Sequence, residues 1–218
     1  MRDILATIGH ELRTPLTSIR GYLDALLEQE CDPATARRFL QTARRETLRL
    51  GRLVDGMLRF SPLDLSTGSM TGRCDAVEQI GATVEMLSPA AAARRVRIVA
   101  NLPRSAPVRV DADACVHAIA NLLENALKYG RECGRVVISC VKEDRTVAVA
   151  VEDDGCGVAP DLRDSIFAMG VRADAAGCNG NGIGLAVVKA IAGRAGGDVF
   201  VEASPLGGAR FVLRLPAG

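Results

Sequence analysis

The sequence predicts an α+β chain: an N-terminal αα-hairpin that pairs with a second copy as a four-helix bundle, followed by an α/β two-layer sandwich. Three observations carry this. Apolar residues recur at steps of four and three through the first part of the chain, from Leu12 to Leu16, Ile19, Leu23 and Leu26. A turn-rich stretch, SPLDLSTGSMTG (Ser61 to Gly72), then interrupts all periodicity. Beyond it, short β-branched runs alternate with capped helical segments, which is the pattern of a sheet covered by helices.

The first helix is expected over residues 1–29. Leu5, Leu12, Ile19 and Leu26 form one seam position, and Leu16 and Leu23 the other. Gly9 then lies in the seam and His10 just outside it, turned toward solvent. Thr14, four residues on, shares the face of His10, and Glu11 is its neighbour. Pro15 sits inside this helix, where a proline removes a backbone donor at a cost of roughly 3 kcal/mol if uncompensated. Asp32–Pro33 is an N-cap and first-turn pair, so a second helix starts near Ala34. Its small or apolar positions are Ala36, Leu40, Ala43, Leu50, Val54 and Met57, broken only by Thr47. One seam per helix is too little core for a hairpin alone, so a homodimer is expected. The domain boundaries follow: 1–60 helical hairpin, 61–72 linker, 73–218 sandwich. The abrupt start of the first helix also points to a fragment whose helix continues upstream.

In the sandwich, Asp75 is expected to cap a helix reaching about Arg94. Val96–Leu102 and Val108–Val110 read as strands, and Asp111 or Asp113 caps a helix to about Tyr129. GRVVISCVKED and RTVAVAVEDDG form two strands around a turn at Glu143–Arg145. Gly155 to Asn181 is loop-rich, with a short helical turn at Asp161–Phe167, and a helix runs from Gly182 to about Ala195. DVFVEAS and ARFVLRL close the chain as a hairpin around SPLGG. The expected sheet is mixed, with its helices on one face.

Composition narrows the function classes. Of 218 residues, 48% are apolar, so the chain is globular, and with only 3% aromatic residues the cores must be built from Leu, Val, Ile and Ala. A net charge of +1 gives no field to draw in nucleic acid or an anionic membrane. No apolar run reaches membrane-spanning length. The seven cysteines show no CxxC pair and no grouping with histidine, which argues against a zinc or disulfide framework.

Three patches carry polar groups where a simple core would not place them. In NLLENALKYG, Asn121, Asn125 and Lys128 line one stripe of a helix whose other face is apolar. An asparagine oxygen is a hard ligand suited to Mg²⁺, and lysine can meet phosphate as a point charge. In DDGCG, Asp153 stands at a strand end with Gly155 and Gly157 behind it. Such a carboxylate can accept from an adenine amino group while the glycines admit the ring. In GNGIGLAVV, Gly180, Gly182 and Gly184 precede a helix start whose backbone N–H groups can face phosphates. Taken singly, the same residues equally describe a solvated helix face, a turn and a loop. Their order, after an exposed histidine, is the informative feature.

Together these residues resemble the transmitter portion of bacterial sensor histidine kinases. HELRTPL is similar to that family's H box, NLLENALKYG to its N box, DDGCG to its G1 box and GNGIG to its G2 box. The resemblance spans nearly the whole chain. It implies a dimeric phosphotransfer bundle followed by a Bergerat-type ATP-binding domain, with ATP and Mg²⁺ as the ligands. It implies that His10 is the phospho-acceptor, Glu11 a base beside it, and Thr14 the polar residue that positions water for dephosphorylating the partner regulator. Asn125 would hold Mg²⁺ with Asn121 in support, and Lys128 and Tyr129 would contact phosphate and nucleotide. Asp153, Gly155 and Gly157 would receive adenine, and Gly180, Gly182 and Gly184 would flank the triphosphate. IFAMGVRAD (Ile166 to Asp174) has Phe167 but lacks the second aromatic of the family's F box. Arg172, the only basic residue between Arg163 and Lys189, is the candidate contact to the γ-phosphate.

The implied partners are a second copy and the receiver domain of a response regulator, with no nucleic acid. The implied location is cytoplasmic, with a membrane anchor in a region upstream of this sequence. Two other readings share the same ATP-binding fold: a degenerate module that only removes phosphate from its regulator, and a serine-directed kinase. The H-box helix argues against the latter, and intact Asn125, Asp153 and lid glycines against the former.

Overall fold

The computed structural model describes residues 2–28, 32–58, 72–168, 171 and 183–218. The chain divides into two compact units, Met1–Ser66 and Thr67–Gly218. The expected linker, apart from Gly72, lies outside the described residues, as do Arg172, Gly180 and Gly182.

The first unit is a helical hairpin of α1 (Arg2–Glu28) and α2 (Pro33–Leu58). Asp32 caps α2: one carboxylate oxygen accepts from the backbone of Ala34 at 2.9 Å and of Thr35 at 3.0 Å. Pro33 takes the first helical position, where its missing N–H costs nothing. Hydrogen bonds from Thr35 hold the Asp32 carboxyl below its ordinary pKa. Between the helices, Pro15 and Ala43 are buried and the rings of Tyr22 and Phe39 lie 5.3 Å apart. Thr47, which interrupts the seam of α2, turns its hydroxyl back onto the Ala43 carbonyl at 2.9 Å. Much of the leucine seam stays uncovered: Leu16 is 58% exposed, Leu23 42% and Leu40 54%.

The second unit is a two-layer sandwich. A five-stranded mixed sheet runs in the order β2 (Arg97–Asn101), β4 (Arg135–Lys142), β5 (Thr146–Glu152), β7 (Ala209–Pro216), β6 (Asp198–Ala203). Only β2–β4 is parallel. Across it lie α3 (Ala76–Ala93) beside β2, α4 (Ala112–Tyr129) beside β4 and β5, and α5 (Gly184–Ala195) beside β6 and β7. Register explains the core. Ile138, Val151, Phe211 and Val201 form one buried cross-strand row, and Cys140, Val149, Leu213 and Val199 the next. Ile119, Leu122, Leu123 and Val188 on the overlying helices are buried with them. The opposite face carries charge, as where Arg210 pairs with Glu152 and Glu202 on its two neighbouring strands.

Asp75 caps α3 as expected, accepting from the Val77 backbone at 2.9 Å. The short strands and one helix cap differ from expectation. β1 (Cys74–Asp75) pairs antiparallel with β3 (Pro107–Val108), and the second of these replaces the strand expected over Val108–Val110. A pairing of two residues leaves no alternation to detect. Asp111 holds the N-cap position of α4 but makes no side-chain cap. The described start of α5 is Gly184, and Gly196 ends it in the left-handed conformation at φ +76°.

Candidate functional site

The strand β5 delivers Asp153 to the mouth of the site. The side chain is 3% exposed. Its Oδ1 accepts two backbone N–H bonds, from Gly155 at 2.9 Å and from Ala209 at 3.2 Å. Among the described residues Oδ2 accepts none. Burial pushes the Asp153 carboxyl above its ordinary pKa, and the two amide bonds only partly offset that. The result is one committed oxygen and one uncommitted oxygen, an arrangement that can receive an amino group.

Glycines make room around it. A Cβ at Gly155 would collide with the Tyr129 carbonyl oxygen at the end of α4. A Cβ at Gly208, in the β6–β7 turn, would lie 2.5 Å from both the Asp153 carbonyl oxygen and the Gly155 nitrogen. Gly157 turns the chain at φ +72°. The cradle is therefore built from three segments distant in sequence. Gly208 was missed by sequence reasoning, which spent SPLGG wholly on a hairpin turn; the turn itself uses only Gly207 at positive φ.

Asp154 was also missed as a separate player. Its two oxygens accept from the backbone of Arg131 at 3.0 Å and Arg135 at 2.8 Å. It thereby clamps the loop from the end of α4 to β4. Burial pushes this carboxyl up, but the two amide bonds outweigh it and hold the pKa below the ordinary value. The adjacent carboxylates thus divide the work: Asp154 fastens the loop and Asp153 faces the mouth.

The polar stripe of α4 lies alongside. Asn121 donates to the His117 carbonyl at 2.9 Å, and a Cβ at Gly184 would come within 2.7 Å of its Oδ1. That contact brings the N-box helix to the start of α5, where Gly184 opens the helix with no side-chain cap on its N–H groups. Asn125, one turn further on, is half-buried and makes no side-chain hydrogen bond among the described residues. Lys128 and Tyr129 are half-buried, with the ammonium 3.4 Å from the Tyr129 hydroxyl and 4.8 Å from its ring centroid. Phe167 is buried edge-on against Phe211 at 6.3 Å, anchoring the start of the following loop to the sheet. His117 is exposed and takes part through its carbonyl only.

The structure thus brings Asn121, Asn125, Lys128, Tyr129, Asp153, Gly155, Gly157 and Gly184 into one region of the second unit. Arg172, Gly180 and Gly182 lie outside the described residues, as do the side chains of His10 and Glu11. The backbone of both belongs to α1, and Thr14 is exposed on the same helix. Among the described residues no cluster of His, Cys, Asp or Glu could hold a metal, and no helix is long and apolar enough to cross a membrane. The donor available to a hard cation is the uncommitted amide oxygen of Asn125, a fit to Mg²⁺ in kind.

Comparisons with known proteins match both units of the chain. Residues 1–66 match the His Kinase A (phospho-acceptor) domain family. Residues 110–218 match the histidine kinase-, DNA gyrase B- and HSP90-like ATPase family. The chain is 31% identical over 222 residues to the sensor histidine kinase WalK of Bacillus subtilis, covering 99% of this chain and 36% of that protein. It is 32% identical over 221 residues to the sensor-like histidine kinase SenX3 of Mycolicibacterium smegmatis, covering 99% of this chain and 57% of that protein. It thus spans about a third to just over half of these relatives' length. Among solved structures, full-length ShkA in complex with AMPPNP is similar over 99% of this chain and 46% of that one, at 26% identity and a TM-score of 0.68.

Proposed function

The chain belongs to the sensor histidine kinases, and on that premise we propose that it phosphorylates its own His10 from ATP and passes the phosphoryl group to an aspartate of a response regulator. The observation that carries the reading is the uncommitted Oδ2 of Asp153, held in a glycine cradle beside the asparagine stripe, in a chain that also bears an H-box helix. In this reading residues 1–60 are the phosphotransfer hairpin, 61–72 the linker and 73–218 the catalytic domain. The 26%-identical ShkA, crystallised with AMPPNP, supports nucleotide as the ligand.

Asp153 accepts from the adenine amino group, and Gly155 and Gly157 allow the ring to sit against the backbone. Lys128 and Tyr129 meet phosphate and nucleotide, and Arg172 meets the γ-phosphate. Gly180, Gly182 and Gly184 line the triphosphate, where the uncapped N–H groups of α5 favour anions. Asn125, supported by Asn121, would hold Mg²⁺, which would supply positive charge against the phosphates. An unperturbed imidazole, with a pKa of about 6.5, is largely neutral near pH 7 and has a free ring nitrogen. That nitrogen of His10 attacks the γ-phosphorus while the bond to the ADP oxygen breaks. The transition state is loose, so positioning and charge neutralisation are the main tasks of the enzyme. Glu11 takes the proton from the second ring nitrogen.

The phosphoryl group then moves to a receiver-domain carboxylate, and Thr14 orients water when the same hairpin dephosphorylates that regulator. The uncovered leucines Leu16, Leu23 and Leu40 support a homodimer, in which the facing hairpin buries them. The cytoplasmic location is proposed with them, any membrane anchor lying outside this sequence. The test is labelling with γ-labelled ATP. An acid-labile, base-stable product that His10→Gln loses, with nucleotide binding intact, is expected. A stable phosphoserine would mean a serine-directed kinase. No product, with regulator dephosphorylation retained, would mean a phosphatase-only module.

A further inference from the structure

An ion-pair triad on the outer face of the sheet bears on the cradle. After Glu152 the ladder between β5 and β7 changes hands. Asp153 donates its N–H to the Ala209 carbonyl at 3.0 Å, while the Ala209 N–H bonds Oδ1 of the Asp153 side chain at 3.2 Å. The end of β7 therefore fixes one oxygen of that carboxylate. Ala209 is the first residue of β7 and follows Gly207, at φ +98°, and Gly208. Two glycines ahead of a strand end do little to stop it fraying. Arg210 comes next, opposite Glu152 on β5 and Glu202 on β6. Its Nε lies 3.4 Å from Glu152, and its guanidinium also pairs with Glu202. Since Asp153 and Ala209 are a hydrogen-bonded pair, Glu152 and Arg210 are a pair of the closer, non-hydrogen-bonded kind, where side chains hold the strands. All three members of the triad are half-buried, so solvent screens them less than exposed ions.

We propose that Arg210 is a positioning residue for nucleotide recognition, an inference that rests on the adenine role proposed for Asp153. By tying β7 to both of its neighbours, Arg210 holds the Ala209 N–H on Oδ1 of Asp153 and so sets the direction of Oδ2. Two N–H bonds, from Gly155 at 2.9 Å and from Ala209 at 3.2 Å, fix the plane of the carboxylate. With Ala209 released, the Gly155 bond alone leaves the group free to turn about its Cβ–Cγ bond, a torsion with broad wells. Oδ2 then meets the amino group at a poorer angle. Arg210 stands on the face of the sheet away from the helices, between the buried Ala209 and Phe211, so it acts through the strand end and not on the nucleotide.

The test compares binding of ADP and of purine riboside diphosphate, which carries hydrogen in place of the amino group, to the whole chain. In Arg210→Met the affinity for ADP should fall about fivefold, the scale of a pair of partly screened ion pairs, while the analogue binds as before. Glu152→Gln combined with Glu202→Gln keeps Arg210 but removes both partners. It should give the same selective loss, and it decides the matter if Arg210→Met fails to fold. Amide exchange at Ala209 should quicken in both variants. An equal change for the two nucleotides, or no change for either, overturns the proposal. Asp153→Asn, measured alongside, separates the two readings. If it leaves the preference for ADP intact, the adenine role falls and the positioning role with it. If it abolishes the preference while the Arg210 and glutamate variants retain it, the positioning role alone falls.

Discussion

Replacing Asp153 by Asn separates charge from shape at the adenine position. The Asn oxygen can still accept from Gly155 and Ala209, which now bond Oδ1 at 2.9 and 3.2 Å. The amide nitrogen then occupies the place of Oδ2 and turns a donor toward the donor of the adenine amino group. Losing a hydrogen bond to a charged acceptor costs about 1.5–3 kcal/mol, and an opposed donor pair puts the loss at the upper end. About 2–3 kcal/mol corresponds to a fall of roughly 30- to 150-fold in affinity. Stability should move the other way. Burial raises the Asp153 pKa, so the folded state disfavours the ionised form. The wild-type chain therefore loses stability as pH rises from the unfolded carboxyl pKa through the folded one, and the Asn variant, which cannot ionise, does not. Calorimetric titration with AMPPNP reads the first effect, and thermal unfolding from about pH 4 to pH 8 reads the second. Unchanged affinity, or a variant less stable than wild type at neutral pH, would refute the division of the carboxylate into one structural and one recognising oxygen.

Three further outcomes follow from the same geometry. Gly208→Ala places a methyl group against the Asp153 carbonyl and the Gly155 nitrogen, both at 2.5 Å. It should cost about 1–3 kcal/mol of stability by thermal unfolding and weaken AMPPNP binding, and full retention of both would remove Gly208 from the cradle. Asp154→Asn should destabilise the second unit at neutral pH. The Asp154 pKa is held down, so its contribution is present above the ordinary carboxylate range and lost as pH falls through the folded value, where the two proteins should converge. Leu23→Glu, at a leucine 42% exposed on the hairpin, should shift the chain toward monomer in light scattering, and an unaltered dimer would show that this seam is not the interface.

The helices were legible because their signals are local. A seam of fours and threes, Asp32 before Pro33, and Asp75 ahead of an apolar run each act within a few residues, and the structure uses them in place. The long strands were legible for the same reason, since alternation over GRVVISCVK is a property of one segment. The two-residue pairing of β1 with β3 was not, because so short a ladder leaves no period.

For the site, the residue types and order of the boxes, with the kinase family they resemble, could be read from the sequence alone. It also placed Asn121, Asn125 and Lys128 on one stripe. The tertiary structure gave Asp154 its separate task as a clamp on the α4–β4 loop, and set Gly208, more than fifty residues beyond Asp153, against that carboxylate. It also set Asn121 against Gly184. These pairings depend on sheet register and on how α4 and α5 lie across it. A segment's own pattern fixes which face is buried, whereas the neighbour it meets there is set by the packing of the whole layer.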